Sequence, residues 1–398
     1  MKSRMADGHI AVLNAGSSSV KFAVYDATAE AEPAARVRGQ VAGLGAKSIM
    51  VASAADGREL KPARAVAAGA DHAQAIDAIL ANLSDWVPGF RLKAAGHRVV
   101  HGGTEFAAHV VVTPAVLDRL VALAPLAPHH QPHNVAAIRA LHARAPQAVQ
   151  VACFDTVFHA TQPAVARLLG LPRELHERGL RRYGFHGLSY EYVTGAFARV
   201  AGQPLPARAI VAHLGNGCSL AAVRAGQSVA TTMGFSTLDG VPMATRSGAI
   251  DPGLLLHLLR EGMDAEALRG LLYDRSGLLG VSGISADMKT LLASDSPAAK
   301  EAVAFFCYRV AREIGSLAVA LGGLDALVFT GGIGEKATPV RAGICAHVAW
   351  LGVDLDADAN ARAGIRISRD NSSVSAWVVP TDEESVIARH TLGLMGDA

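Results

Sequence analysis

Residues 12–26 read VLNAGSSSVKFAVYD. Both ends are apolar and suit strands. Between them stand Asn14, Ala15, Gly16, three serines and Lys21, which make poor core material. The stretch therefore predicts two strands around a turn whose composition needs a reason. Glycine and serine leave backbone N–H groups bare, and such turns approach phosphate oxygens closely. Asn14 adds a possible metal-water contact and Lys21 a cation. An ordinary hairpin turn is the alternative reading.

Two more such turns follow. HLGNGCS (213–219) repeats the pattern with His213 and Asn216, and GGIGEK (331–336) follows the apolar strand DALVFT as a glycine turn. No GxxxxGK[ST] occurs, and no GxGxxG opens a helix. Open α/β sheets bind ligands beyond the carboxyl ends of their strands, and each of these turns leaves a strand. VLNAGSSSVKFAV also echoes VAHLGNGCSLAAV (211–223). A duplicated α/β lobe and a chance likeness of two hairpins both explain the echo.

The remaining periodicity alternates strand and helix. Ile76, Ile79, Leu80 and Leu83 have helical spacing, RLKAAGHRVVHGG holds a strand, PHNVAAIRALHARAP a helix and VQVACFDTVF a strand. A helix over 300–321 ends at Gly322 and Gly323. Thr381 and Glu384 predict a capping box for a last helix. At 398 residues two domains are expected. A net charge of +2 without a basic stripe argues against nucleic acid. Cys153, Cys218, Cys307 and Cys345 form no CxxC, and the sixteen histidines no HExxH, so neither a disulfide framework nor zinc is indicated. A reducing cytosol fits best. MKSRMADGHI lacks a signal-peptide run, and no apolar stretch nears the ~18 residues of a membrane span.

Charged residues sit in unusual company. GHRVVHGG places Arg98 by a strand end, and GVPMATRSGAIDPG places Arg246 in a small-residue loop before a helix opened by Asp251 and Pro252. A guanidinium there offers a fork for carboxylate or phosphate, or forms a structural salt bridge. Asp155, after an apolar strand, can orient a nucleophile, bind metal through water, or cap a helix. His186 lies between glycines in RRYGFHGLSY, as a functional imidazole or a tyrosine-bonded structural one. In TDEES, one of Glu383 and Glu384 could cap and the other reach metal.

Together LNAGSSSVKF, GHRVVHGG, FDTVFHATQP, YGFHGLSY, HLGNGCS, TTMGFSTLDGVPMATRSGAIDPG, VFTGGIGE and TDEES resemble the acetokinase family, of the acetate and sugar kinase, heat-shock 70 and actin superfamily. The resemblance spans nearly the whole chain. It implies an α/β, duplicated RNase H-like fold: one lobe over 1–155 plus 382–398, a nucleotide-binding lobe over 156–381, and the active site in a cleft between them that closes on nucleotide. It implies ATP-dependent phosphorylation of acetate to acetyl phosphate, with Mg²⁺ (or Mn²⁺), in a cytoplasmic homodimer. By the same resemblance Asn14 and Glu383 match magnesium positions. Lys21, His213, Leu214, Gly215, Asn216 and Gly217 match nucleotide-phosphate contacts. Asp287, Met288, Lys289, Gly332, Ile333, Gly334, Glu335 and Lys336 match the remaining nucleotide segments. Arg98 and Arg246 match the arginines around the acid and the transferring phosphoryl, His186 the transition-state stabiliser and Asp155 the catalytic carboxylate. The acyl pocket would be Val100, Phe185, His129 and Thr237. Lys289 and Lys336 stand where the family has arginine and asparagine, and His129 and Thr237 where it has leucine and proline. A polar His129 predicts the order acetate, propionate, butyrate. A propionate or butyrate kinase is the neighbouring reading, and an actin-like or chaperone-like ATPase the reading from another class.

Overall fold

The computed structural model of the chain describes residues 8–28 and 33–396. It divides into two compact units, one of Met1–Val157 with Asp382–Ala398 and one of Phe158–Thr381.

The first unit is built on β1 (His9–Ala15), β2 (Ser19–Asp26), β3 (Ala35–Ala42), β4 (Ile49–Ala54), β5 (Glu59–Leu60), β6 (Leu92–Val99), β7 (Val110–Val111) and β8 (Val149–Phe154). Their order in one sheet is β5-β4-β3-β2-β1-β6-β8-β7. β1 and β2 form the expected hairpin, while β6 lies parallel to β1 and β8 parallel to β6. β1 is apolar almost throughout because both faces are covered. On one face the helices His72–Trp86 and Gln131–Arg144 bring Ile76, Ile79, Leu83, Ala137 and Leu141 against Ala11, Leu13 and Phe22. On the other lies the last helix, Glu383–Met395, whose Val386, Ile387 and Leu392 are buried. Gly96 in β6 makes that approach possible. A Cβ there would stand 2.4 Å from Ile387 Cγ2 and 2.3 Å from Thr391 Oγ1.

The second unit has β9 (Arg208–Leu214), β10 (Cys218–Arg224), β11 (Gln227–Thr231), β12 (Ala326–Thr330) and β13 (Ser375–Val378), ordered β11-β10-β9-β12-β13. The β9–β10 hairpin is antiparallel, β12 is parallel to β9 and β13 to β12. This repeats the order β3-β2-β1-β6-β8 of the first unit, so the echo between the two hairpins reflects repeated topology rather than chance. The helix Pro297–Leu321 runs beyond its expected start and ends at Gly322, which takes the left-handed conformation (φ 71°) as a C-cap.

Two local expectations fail. GGIGEK is a helix, Gly331–Lys336, and not a turn. Its N-terminal end is capped from within the stretch and its C-terminal end from outside it. The Glu335 carboxylate accepts from Gly331 N–H at 3.0 Å, and the fully buried Arg341 donates to the carbonyls of Gly334 and Glu335, each at 2.9 Å. The capping box of Thr381 and Glu384 is also absent. Asp382 caps the last helix instead, accepting from Ser385 N–H at 3.0 Å. Asp382 is fixed there by Arg38 of β3, while Thr381 Oγ1 accepts from Ser189.

Candidate functional site

In the first unit, three neighbouring strands deliver chemistry at their carboxyl ends. β1 ends with Asn14 and Ala15, and Lys21 of β2 lies opposite Asn14. β6 carries Arg98 just before its end, as expected from GHRVVHGG. β8 stops at Phe154, and Asp155 follows. Arg98 donates to Asp155 from Nε (3.0 Å to Oδ1) and Nη2 (2.6 Å to Oδ2), and from Nη1 to Asn14 Oδ1 at 3.3 Å. Asp155, only 1% exposed, is thus held by a two-pronged ion pair and not used as a helix cap. Glu383, first residue of the last helix, reaches within 3.9 Å of Arg98 Nε.

One guanidinium therefore serves several carboxylates. Burial opposes the charge on Arg98, but Asp155 and Glu383 outweigh it and raise its pKa. Burial pushes the Glu383 carboxyl up to about 7, with Asp155 and Glu384 adding and Arg98 and Lys21 opposing. Hard oxygen donors with excess negative charge suit a small divalent cation, and Mg²⁺ fits this set.

In the second unit, the turn 215–217 between β9 and β10 meets His186, which precedes the helix Gly187–Ala201. A Cβ on Gly217 would lie 3.2 Å from His186 Nε2 and 3.7 Å from Arg246 Nη1, so turn, imidazole and guanidinium converge. His186 adopts φ 59°, a left-handed conformation that costs a non-glycine residue energy and often marks a functional position. Its Nδ1 lies 2.8 Å from Ser219 Oγ, which in turn lies 2.5 Å from the buried Tyr190 hydroxyl. Ser219 and Tyr190 close the stretches HLGNGCS and RRYGFHGLSY, and neither is assigned a role beside the imidazole from sequence. His213 stacks on His186 with centroids 4.3 Å apart, and its Nδ1 lies 2.8 Å from Ser189 Oγ. Arg246 Nη1 donates to Thr237 O at 3.1 Å. Phe185 is buried, and its carbonyl accepts from His159 Nε2 at 3.0 Å.

The remaining nucleotide candidates separate. Gly332 N lies 3.9 Å from a Cβ built on Gly215, so the helix Gly331–Lys336 starts beside the 215–217 turn, and Lys336 is exposed. Asp287 caps the helix Met288–Leu292 through Lys289 and Thr290 N–H, and Thr290 first of all lowers its pKa. Lys289 is exposed, whereas Met288 is buried. In the first unit Val100 is buried and His129 half-buried, close enough to His133 to lower that ring's pKa after burial and His72 have done so.

The two hairpin turns share an electrostatic arrangement. In residues 15–19 the carbonyls of Ala15, Gly16, Ser18 and Ser19 accept from Asn134 Nδ2, His72 Nε2, Leu44 N–H and Gly16 N–H. In 215–217 the carbonyls of Gly215, Asn216 and Gly217 accept from Cys218 Sγ, Ala244 N–H and Gly215 N–H. The Cys218 thiol, pushed up to about 12 by burial, keeps the proton it donates. Among the described residues, the N–H groups of Ser17, Ser18, Asn216 and Gly217 have no hydrogen-bond partner. Each turn thus has most of its carbonyls occupied and two of its N–H groups open, which is the polarity an anion requires.

A profile of the Acetokinase family matches residues 9–389. An acetate kinase of Rhodopseudomonas palustris (strain TIE-1) is 54% identical over 387 residues, covering 95% of this chain and 96% of that protein. A propionate kinase structure from Francisella tularensis superposes with a TM-score of 0.89 at 36% identity, covering 97% of this chain and 100% of the other. The acetate kinase structure from Porphyromonas gingivalis gives 0.86 at 35% identity, covering 98% and 100%. Two units of repeated topology, strand ends that gather Asn14, Arg98 and Asp155, and sequence identity along nearly the full length lead to one conclusion: the chain belongs to the acetokinase family.

Proposed function

We propose that the protein catalyses reversible transfer of the terminal phosphoryl group of ATP to the carboxylate of acetate, giving acetyl phosphate and ADP. The observation that carries this reading is the convergence of His186 and Arg246 on the bare Gly217 turn. Two nitrogen donors against open backbone N–H groups are what a transferring phosphoryl needs, since such transfer depends on positioning and charge neutralisation. Acetate is already an anionic nucleophile and needs no strong base. Arg98 binds the acid or acyl phosphate, and Asp155 fixes the plane of its guanidinium. Lys21, the N–H groups of Ser17 and Ser18 and the 215–217 turn hold nucleotide phosphates, with Gly332 and Lys336 alongside. Arg246 and His186 stabilise charge on the equatorial oxygens, the Tyr190–Ser219 chain holding the imidazole in orientation. Asn14 and Glu383 would hold Mg²⁺, with Asp155 ordering the surrounding shell. When bound, the ion neutralises phosphate charge.

Val100, Phe185, His129 and Thr237 are proposed to line the acyl end. His129 adds polarity where longer acids need apolar contact, and a methylene is worth ~1–3 kcal/mol in an apolar pocket. A coupled ADP-release assay with acetate, propionate and butyrate in parallel tests the reading. Acetate should have the highest kcat/KM and butyrate the lowest. Propionate above acetate would move the assignment to the activity named for the Francisella neighbour, and ATP turnover independent of any acid would sink the acyl kinase reading.

The protein is also proposed to act as a cytoplasmic homodimer. The amphipathic helix Pro252–Arg260 buries none of its residues, and Leu254, Leu256 and Leu259 are exposed. A second copy covering this face would remove the apolar surface from water. Leu256→Asp should shift the mass measured by light scattering from dimer to monomer; a wild-type monomer would end this proposal. No helix among the described residues is long and apolar enough to cross a membrane.

A further inference from the structure

A turn that receives an anion must keep its carbonyl oxygens turned away, because their lone pairs repel the ligand. The turn after β1 does this with two side chains that lie outside every phosphate-binding motif. Gly16 O lies 2.7 Å from His72 Nε2. A carbonyl only accepts, so His72 Nε2 carries the proton and donates. Ala15 O accepts from Asn134 Nδ2 at 2.8 Å, and the same Asn134 accepts from Val100 N–H through Oδ1 at 3.1 Å. Asn134 is 2% exposed, so each of these bonds is made away from competing water.

The two groups form one device. Ala15 directly follows Asn14, and Val100 lies two residues after Arg98. Asn134 thereby ties the ends of the two strands that carry those residues. His133, its neighbour on the helix Gln131–Arg144, stacks on His72 with centroids 4.8 Å apart and rings 20° from parallel. His72 is the first residue of the helix His72–Trp86, whose start is fixed by a capping box of Asp71 and Gln74. Two helices thus present a braced imidazole and a buried amide to consecutive carbonyls, and Ser17 and Ser18 N–H stay open on the same turn.

We propose that His72 and Asn134 are positioning residues that hold the Ala15 and Gly16 carbonyls away from the nucleotide phosphate. They act through the turn and touch neither substrate. This inference rests on the proposed phosphate role of that turn.

The test compares His72→Ala, His72→Gln, Asn134→Asp and Lys21→Ala by KM for ATP, KM for acetate, kcat and melting temperature. A glutamine amide places a donor where His72 Nε2 stands. An aspartate at 134 keeps the acceptor for Val100 N–H but faces Ala15 O with a second acceptor. His72→Ala should lower kcat/KM for ATP about tenfold, the factor one lost hydrogen bond carries, with KM for acetate and melting temperature near wild type. His72→Gln should recover most of the loss, and Asn134→Asp should lose more than His72→Ala. His72→Ala with wild-type kinetics overturns the proposal, and so does equal impairment of the alanine and glutamine variants, which would assign the effect to ring stacking. Lys21→Ala separates the two layers. Weakened ATP kinetics there with unaltered His72→Ala sinks the positioning role alone, while unaltered ATP kinetics in Lys21→Ala removes the phosphate role of the turn and this inference with it.

Discussion

His97 and His159 are buried imidazoles kept neutral. His97 Nε2 lies 2.8 Å from Gln150 Oε1, and burial lowers its pKa to about 4. His159 lies between Ser228 Oγ and Phe185 O, and burial likewise brings it to about 4. In the unfolded chain each titrates near 6.5. Above 6.5 both states are neutral and the stability is whole. As pH falls from 6.5 towards 4, the unfolded chain takes up protons that the native one refuses, and stability is lost, by roughly 3 kcal/mol for each ring over the full interval. Glu383 acts oppositely. Its raised pKa means the native carboxyl binds a proton first as pH falls through about 7. The wild-type pH profile mixes these signs, so the prediction concerns a difference. Urea unfolding at fixed Mg²⁺ should show His97→Gln losing about 2 kcal/mol less than wild type between pH 7 and 5. Parallel pH profiles would show that His97 already titrates normally in the fold.

Gly217 joins the residue scale to that of the element, because a hairpin turn and two loops meet at its missing side chain. The Cβ of Gly217→Ala would stand 3.2 Å from His186 Nε2, tighter than ordinary packing allows, so the imidazole must shift. Misplacing a group that acts on developing charge costs about 10²-fold. Gly217→Ala should therefore lower kcat by that order while the melting temperature stays near wild type; unchanged kcat would show that the ring has room to move. The placement of the candidate residues was largely legible in the sequence. Asn14, Arg98, Asp155, His186, Arg246 and Glu383 stand at strand ends, helix starts or in small-residue loops, where polar side chains have little packing purpose. Periodicity made β1, β2, β6, β8, β9, β10, β12 and the helices His72–Trp86, Gln131–Arg144 and Pro297–Leu321 legible, but not β3, β4 or the helix Gly187–Ala201. What escaped was set by partners outside the local motif, some a few residues on and others far along the chain. GGIGEK looks like a turn because its C-terminal cap comes from Arg341. The Thr381–Glu384 box gives way because Arg38 fixes Asp382 at the cap. Asn134 and His72 escaped because nothing local marks a helix residue whose side chain holds another element's backbone.

At the scale of the molecule, the first unit is discontinuous: the chain leaves it at Val157 and returns at Asp382. The returning helix supplies one face of the sheet. Val386, Ile387, Ala388 and Leu392 are buried. The larger apolar side chains among them contribute about 1.5–3 kcal/mol each on burial. Their sum rivals the ~5–15 kcal/mol that holds a whole domain. The same segment brings Asp382 to Arg38 and Glu383 to within 3.9 Å of Arg98. Without it, Gly96 on β6 would open a bare strip of backbone to water where Ile387 and Thr391 now sit. A chain ending at Thr381 should therefore fail to keep the first unit folded, even though all of β1 to β8 is present. The sheet of the second unit, with β9 to β13 complete before that point, should persist. Limited proteolysis read by mass spectrometry tests this directly. Cuts are expected throughout 8–157 in the truncated chain and protection over most of 158–381. Equal protection of both stretches would mean that the first sheet closes its core without the last helix, and that Glu383–Met395 serves only to place its acidic first turn.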